Sequence, residues 1–295
     1  MGDFRKTARV ACVQYALHAL PDYAAFEAKV AHFVAVAASY AADFVVFPEM
    51  FTLQLLTIEH RDVPAGQAVA ALDTYTARVK ATFAELARRH RLHVVGGTHF
   101  LRDGAGVARN VCFTATPEGA LHAQAKIHAT PSERDAWGIA GGDAAEPFMT
   151  DFGPVAATVC YDVEFPELQR HLVRTGARIV FVPFCTDDRR GYMRVRLCAQ
   201  ARAVENQCYL ALAGNVGVLP HVANMDIQYA ESCLLTPLDL PFARDGVAEI
   251  APAGTETLVF ADFGLDAIDR ARAAGTVRNL ADRRGDLYRT AWTGK

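Results

Sequence analysis

Short apolar runs and longer stretches with an apolar residue at every third or fourth position alternate along most of this 295-residue chain. Residues 7–14 (Thr-Ala-Arg-Val-Ala-Cys-Val-Gln) read as a strand, and residues 22–41 set Phe26, Val30, Phe33, Val34 and Ala37 on one helical face. Phe44-Val45-Val46-Phe47 is apolar without interruption, the pattern of a strand covered on both faces. A helix is predicted over 67–90, closing on Arg88, Arg89 and His90, cations that suit the negative end of a helix. Strands follow near 92–99, 109–116 and 120–126, the last two bracketing the hairpin turn Pro117-Glu118-Gly119. Residues 127–147, punctuated by Pro131, Gly138, Gly141, Gly142 and Pro147, read as one long loop, and such loops are often functional. The alternation resumes with strand 154–160, helix 165–176, strand 178–184, helix 190–206 and strands near 207–213, 229–235 and 256–261.

No Pro/Gly/Ser-rich linker, low-complexity tract or short repeat interrupts this pattern. One α/β domain over 1–275 is therefore expected, with helices covering its sheets. The Arg- and Asp-rich remainder, 276–295, is expected to lie as a tail across that domain or a partner subunit. An apolar content of 52% can fill a large core, while a net charge of −3 offers no field for nucleic acid. No apolar run reaches the length of a membrane span, and Met1-Gly2-Asp3-Phe4-Arg5-Lys6 lacks a leader-like apolar region, so a cytoplasmic protein is the expectation. Seven cysteines without C-x-x-C spacing, several inside apolar runs, read as reduced core residues rather than disulfides or a zinc site. His-Glu-x-x-His and Gly-x-Ser-x-Gly do not occur, and Gly96-Gly97 and Gly141-Gly142 match neither a phosphate loop nor a dinucleotide loop.

Three residues carry candidate chemistry. Glu49 follows the buried run 44–47, where partial dehydration raises a carboxyl towards the range of a general base. Lys126 ends a strand and enters the long loop, a position from which a cation can stabilise an oxyanion. Cys160 ends another strand and faces a turn, so its thiol can be presented rigidly as a nucleophile. Singly, each has an ordinary reading: a solvated loop glutamate, a strand-end lysine, a small buried hydrophobe. Jointly they supply base, cation and nucleophile at the carboxyl ends of strands, the edge where open α/β sheets place their sites.

Phe47-Pro48-Glu49, Lys126-Ile127-His128 and Cys160-Tyr161-Asp162 with Phe165-Pro166-Glu167 resemble the carbon–nitrogen hydrolase (nitrilase) superfamily. The likeness covers essentially the whole chain: Arg202-Ala203-Val204-Glu205-Asn206 resembles a helix signature of the family, and Asp282-Arg283-Arg284 with Leu287-Tyr288 resembles its C-terminal tail. The resemblance implies a four-layer α-β-β-α sandwich that forms homodimers or larger homo-oligomers. It also implies a Glu49-Lys126-Cys160 triad, with Glu133 as a second glutamate (Glu146 being the weaker match) and the backbone N–H of Tyr161 in the oxyanion hole. The expected reaction is hydrolysis of a non-peptide carbon–nitrogen bond in a small amide through a thioester on Cys160, needing no metal or organic cofactor.

Cys160-Tyr161-Asp162 stands where nitrilases resemble Cys-Trp-Glu, which favours amides over nitriles; an N-carbamoyl amine or amino acid is an alternative substrate. Many amidase-like relatives carry an arginine where this chain has Glu164. Its acidity favours a neutral or cationic substrate over a carboxylate, or else Glu164 caps the helix near Phe165. The segment 184–192 follows another strand end, so Phe184, Asp187, Arg189 and Tyr192 are expected to shape specificity. Asn224-Met225-Asp226-Ile227-Gln228-Tyr229 is a candidate for a further pocket wall. The competing class is a non-catalytic ligand-binding or assembly protein on the same fold, which would have no use for three intact reactive groups.

Overall fold

The structure is a computed structural model that describes residues 4–58 and 62–294. Met1, Gly2 and Asp3, part of the chain start read above, lie outside the described residues, as does Lys295 of the tail. The first half runs β1 (Thr7–Leu17), α1 (Tyr23–Ser39), β2 (Phe44–Val46), a 3-10 turn (Phe51–Thr57), α2 (Ala65–Asp73), α3 (Thr76–His90), β3 (His93–Arg102), β4 (Ala108–Ala115), β5 (Leu121–Ala125) and α4 (Pro131–Trp137). The second half runs β6 (Phe148–Thr150), β7 (Gly153–Ala157), a 3-10 turn (Cys160–Glu164), α5 (Pro166–Arg174), β8 (Ile179–Phe184), α6 (Arg189–Asn206), β9 (Tyr209–Gly217), β10 (Cys233–Leu235), β11 (Val247–Ile250), β12 (Thr257–Gly264) and α7 (Leu265–Ala274).

The described strands make two sheets, ordered β12-β1-β2-β3-β4-β5 and β11-β10-β9-β8-β7-β6. They join where Tyr15–Leu17 pairs in parallel with Asn215–Gly217. Each sheet holds three adjacent parallel strands, β1-β2-β3 and β7-β8-β9, whose crossovers carry helices. Strand periodicity sorts the two faces. Ala11, Val13 and Tyr15 pack with Phe26, Val30 and Phe33 of α1 and Val79 and Phe83 of α3. Val10, Cys12, Phe44 and Val46 turn to the opposite face and meet the other sheet. There the Phe44 ring lies 5.3 Å from Phe152 and 5.0 Å from Phe181, and α5 and α6 cover the far side through Leu168, Leu172, Val195 and Ala199. The layers are therefore helix, sheet, sheet, helix, as the resemblance implied.

Several elements differ from the pattern reading. The helix expected at 67–90 is two, broken at Thr74-Tyr75. The Thr74 hydroxyl donates back to the Ala71 carbonyl, and Tyr75 stacks on Tyr23 at 5.8 Å. The loop expected at 127–147 contains α4, too short to show a helical period. The strand expected at 229–235 pairs only over 233–235, because Tyr229 is tied by two hydrogen bonds to Thr186. Strand 154–160 stops at Ala157, and α7, β6 and β11 were not anticipated. Beyond α7 no helix or strand is described. The tail lies over α5 and the end of α6: Leu280 N–H donates to the Gln207 side chain at 3.3 Å, and Trp292 stacks on His171 at 4.9 Å. Among the described residues no helix is long and apolar enough to cross a membrane.

Candidate active site

The end of β2 is fixed before Glu49 does anything. Asn215 of β9 donates to the Glu49 carbonyl oxygen at 2.6 Å, and the next N–H, of Met50, donates to the Thr98 hydroxyl at 2.9 Å. A bulge in β3 makes room for this: its register with β4 shifts between Val95 and Thr98. Gly97 there has φ +58°, and a Cβ at that position would collide with the Pro48 carbonyl oxygen. Of the Gly96-Gly97 pair, which matched no ligand loop, Gly97 lets the Glu49 turn sit against the sheet, while Gly96 leaves room for the Phe83 ring of α3.

Lys126 lies one residue past β5, with its N–H donating to the Asn110 carbonyl at 2.8 Å. Its ammonium donates to Glu49 Oε1 at 2.8 Å and to Glu133 Oε2 at 2.5 Å. Glu133 is held by the start of α4. Thr130 Oγ1 accepts from Glu133 N–H at 3.2 Å, and Thr130 N–H donates to Glu133 Oε2 at 2.9 Å, a reciprocal cap with Pro131 in the first turn. Asn110 of β4 completes the cluster, its side-chain nitrogen donating to Glu49 Oε1 at 3.0 Å and to Glu133 Oε1 at 2.8 Å.

Cys160 opens its turn at φ +47°, a left-handed conformation unusual for a residue with a side chain. Its Sγ faces the Cys185 carbonyl at 3.6 Å. Asp162 anchors the turn through main-chain donors: Oδ1 accepts from His128 N–H at 2.8 Å, and Oδ2 from Ile127 N–H at 3.2 Å and Val159 N–H at 3.1 Å. The same carboxylate thus ties the Lys126 strand end to the Cys160 turn. Phe165 stacks on His128 at 3.6 Å, and Arg202 donates to the Val163 and Glu164 carbonyls at 3.1 Å each, so the Arg202–Asn206 segment supports the turn from α6.

Burial pushes the Glu49 carboxyl up to about 7; Lys126 opposes that rise and Glu133 adds to it. Burial works against the Lys126 charge, yet the Glu49 and Glu133 carboxylates more than offset it and hold the ammonium well above its ordinary value. Burial also acts against the Glu133 carboxylate, but Lys126 and its hydrogen bonds keep it below the usual range. The Cys160 thiol is pushed well above its ordinary value, first by burial and then by Glu49. The resting thiol is thus protonated, beside a carboxyl that titrates near neutrality.

Glu49, Lys126, Glu133, Cys160 and Tyr161 all line one cavity of 840 Å³. Glu164 and Asp187 line it too, as do Met225, Asp226 and Ile227. Glu164 immediately precedes Phe165, the N-cap residue of α5, so it stands at the helix start as well as on the cavity wall. It lies 3.8 Å from Arg194, its carboxyl raised by burial. Partial burial, with Asp188 and Asp226 nearby, raises Asp187 likewise. Three expected specificity residues do not line the cavity. Phe184 is fully buried within β8, and Tyr192 is 1% exposed with its ring against Tyr229. Arg189 pairs instead with Glu231 and the Tyr229 hydroxyl. The reason is helical phase: Arg190, Gly191, Arg194 and Val195 share the cavity face of α6, whereas 189 and 192 point elsewhere. Sequence reasoning missed Asn110, Asn215 and Arg194, and within the segment 184–192 it singled out Arg189 rather than Arg190. A polar residue inside an apolar strand was the available signal for the two asparagines.

A sequence model of the family described as carbon-nitrogen hydrolase matches residues 9–273. A probable hydrolase of Bacillus subtilis, YhcX, is 43% identical over 280 residues, covering 95% of this chain and 54% of that protein. The chain thus spans about half the length of that curated relative. Among solved structures, a carbon–nitrogen hydrolase from Helicobacter pylori superposes with a TM-score of 0.79 at 19% identity, covering 96% of this chain and 97% of that one. An amidase from Nesterenkonia sp. superposes at 0.73 and 21% identity, with 96% of each chain covered.

Proposed function

The chain belongs to the carbon–nitrogen hydrolase family, and from that premise we propose that it hydrolyses the non-peptide carbon–nitrogen bond of a small linear amide through a thioester on Cys160. The observation that carries this reading is the joint placement of the Cys160 thiol, the buried Glu49 carboxyl and the doubly paired Lys126 ammonium around one cavity.

Glu49 takes the Cys160 proton as Sγ attacks the carbonyl carbon, because a thiol held well above its ordinary pKa is not ionised in advance. The oxyanion that forms is stabilised by Lys126 and by the Tyr161 N–H, which, in the first turn of a short helix, lacks an intrahelical acceptor. Collapse of the tetrahedral species breaks the carbon–nitrogen bond, and Glu49 returns its proton to the departing ammonia or amine. Water then loses a proton to Glu49 as it attacks the thioester; the acid departs and Cys160 recovers its proton. Throughout, Glu133 keeps Lys126 charged and in place.

The acidic residues around the cavity, Glu164, Asp187 and Asp226, favour a neutral or cationic substrate over an anionic one. Ammonia or amine release from a panel of small amides, N-carbamoyl amines and nitriles, compared between wild type and Cys160→Ala, tests the proposal. Cysteine-dependent release from an amide supports it, and equal release by both proteins rejects it.

A further inference from the structure

The carboxylates of Glu49 and Glu133 are joined twice, once through the Lys126 ammonium and once through the Asn110 amide, in a closed ring of four buried side chains. An asparagine amide has two N–H donors, and here one goes to each carboxylate. Its own oxygen, Oδ1, is buried without a hydrogen-bond partner, so the residue serves this site as a donor alone. Its main-chain carbonyl also accepts the Lys126 N–H, which places ammonium and amide on neighbouring strand positions. Both donors that reach Glu49 converge on Oε1. The remaining oxygen, Oε2, is therefore committed to neither.

We infer that Asn110 is a positioning residue of the reaction: its amide locks Glu49 Oε1 to Glu133 Oε1, so that Glu49 Oε2 is the carboxyl oxygen offered to the Cys160 thiol. A second lysine here would add charge, and a histidine or carboxylic acid could accept or relay a proton between the two glutamates. The amide does neither. It also stabilises the ionised form of Glu49, so its loss moves the Glu49 titration upward. The charged and titratable groups facing Glu49 are Lys126, Glu133, Cys160 and Cys185, with Glu164 near Lys126. This inference rests on the proposed roles of Cys160 and Glu49, and its test separates the two.

The test is the rate of Cys160 alkylation by iodoacetamide on the full chain, followed by peptide mass spectrometry from about pH 5 to about pH 9. Wild type, Glu49→Gln, Asn110→Ser and Asn110→Leu are compared, with melting temperature measured in parallel. Asn110→Leu, which has no donor, should raise the acidic midpoint by about one pH unit and slow alkylation near pH 7 by about fivefold. Asn110→Ser, which keeps one donor, should move the midpoint by about half as much and remains informative if the leucine variant does not fold. Midpoints in both folded Asn110 variants that coincide with wild type, where Glu49→Gln abolishes the limb, overturn this inference alone. A wild-type limb that survives Glu49→Gln, or an unreactive Cys160, overturns the reading beneath it as well.

Discussion

The floor and the mouth of the cavity are built on opposite principles. At the floor, the Glu49, Lys126 and Glu133 side chains are each 1% exposed and bound by partners from several elements. At the mouth, the Arg190 side chain is 91% exposed and pairs with Asp188 two residues earlier, and Arg194, 68% exposed, reaches Glu164 at 3.8 Å. Buried charges persist only when paired and hydrogen-bonded, so the floor admits few substitutions. Exposed ion pairs contribute little to stability, so the mouth can vary at small structural cost. Under the proposed function the contrast becomes a division of labour: residues at strand ends would carry out the chemistry, while the face of α6 and residues 224–227 would select what reaches it.

The largest effects should come from the floor. Cys160→Ala and Lys126→Met are each expected to lower kcat for amide hydrolysis by about 10⁴-fold or more, with Cys160→Ala keeping its fold by circular dichroism. Activity within about tenfold of wild type would erase the distinction between floor and mouth. Gly97→Ala tests the floor from behind, since the new methyl group must displace the Pro48 carbonyl and with it Glu49. It should cost about 1–3 kcal/mol in urea unfolding and lower kcat by about 10- to 100-fold, although residue 97 touches no reacting group.

The pH profile follows from Glu49. A base must be ionised, and burial has raised this one to about 7. Activity should therefore rise with pH on the acidic side, by about tenfold per unit, and level off above neutrality. A midpoint near the ordinary carboxylate value of about 4.3 would mean that the floor is wet or that Glu49 is not the base. The smallest effect belongs to the mouth. Asp187→Asn combined with Glu164→Gln should reduce kcat/KM for an amine-bearing amide by about 5- to 30-fold while changing a neutral amide by about twofold or less. Equal losses on both substrates would place these carboxylates in the floor's machinery instead.

The same contrast governs what the sequence made legible. Glu49, Lys126 and Cys160 stood out because each follows a strand end, whereas Glu133 was named only from the family resemblance, and its place in the first turn of α4 appears only in the structure. An α/β domain was legible from alternating periods of two and of three to four, whereas the four-layer arrangement came from the family resemblance, and α4, α7, β6 and β11 left too short or too weak a period to be read. Asn110 and Asn215 were not legible, because a lone asparagine in a strand gains meaning only once β4 lies beside β5, and β9 beside β1 and β8. Phe184 and Tyr192 show the reverse error. Nearness to a strand end was read correctly, but pleat direction and helix phase turn their side chains into the core. Glu164, read as either a cap or a pocket residue, stands both just before the start of α5 and on the cavity wall.

The central claim is that Cys160 carries the acyl group during turnover. Wild-type protein quenched in acid during hydrolysis of a small amide, then digested and analysed by mass spectrometry, tests it directly. The account predicts the mass of the substrate's acyl group on the peptide containing Cys160, and its absence from the same peptide in Cys160→Ala. Steady release of ammonia with that peptide unmodified, and equal release by Cys160→Ala, would contradict it.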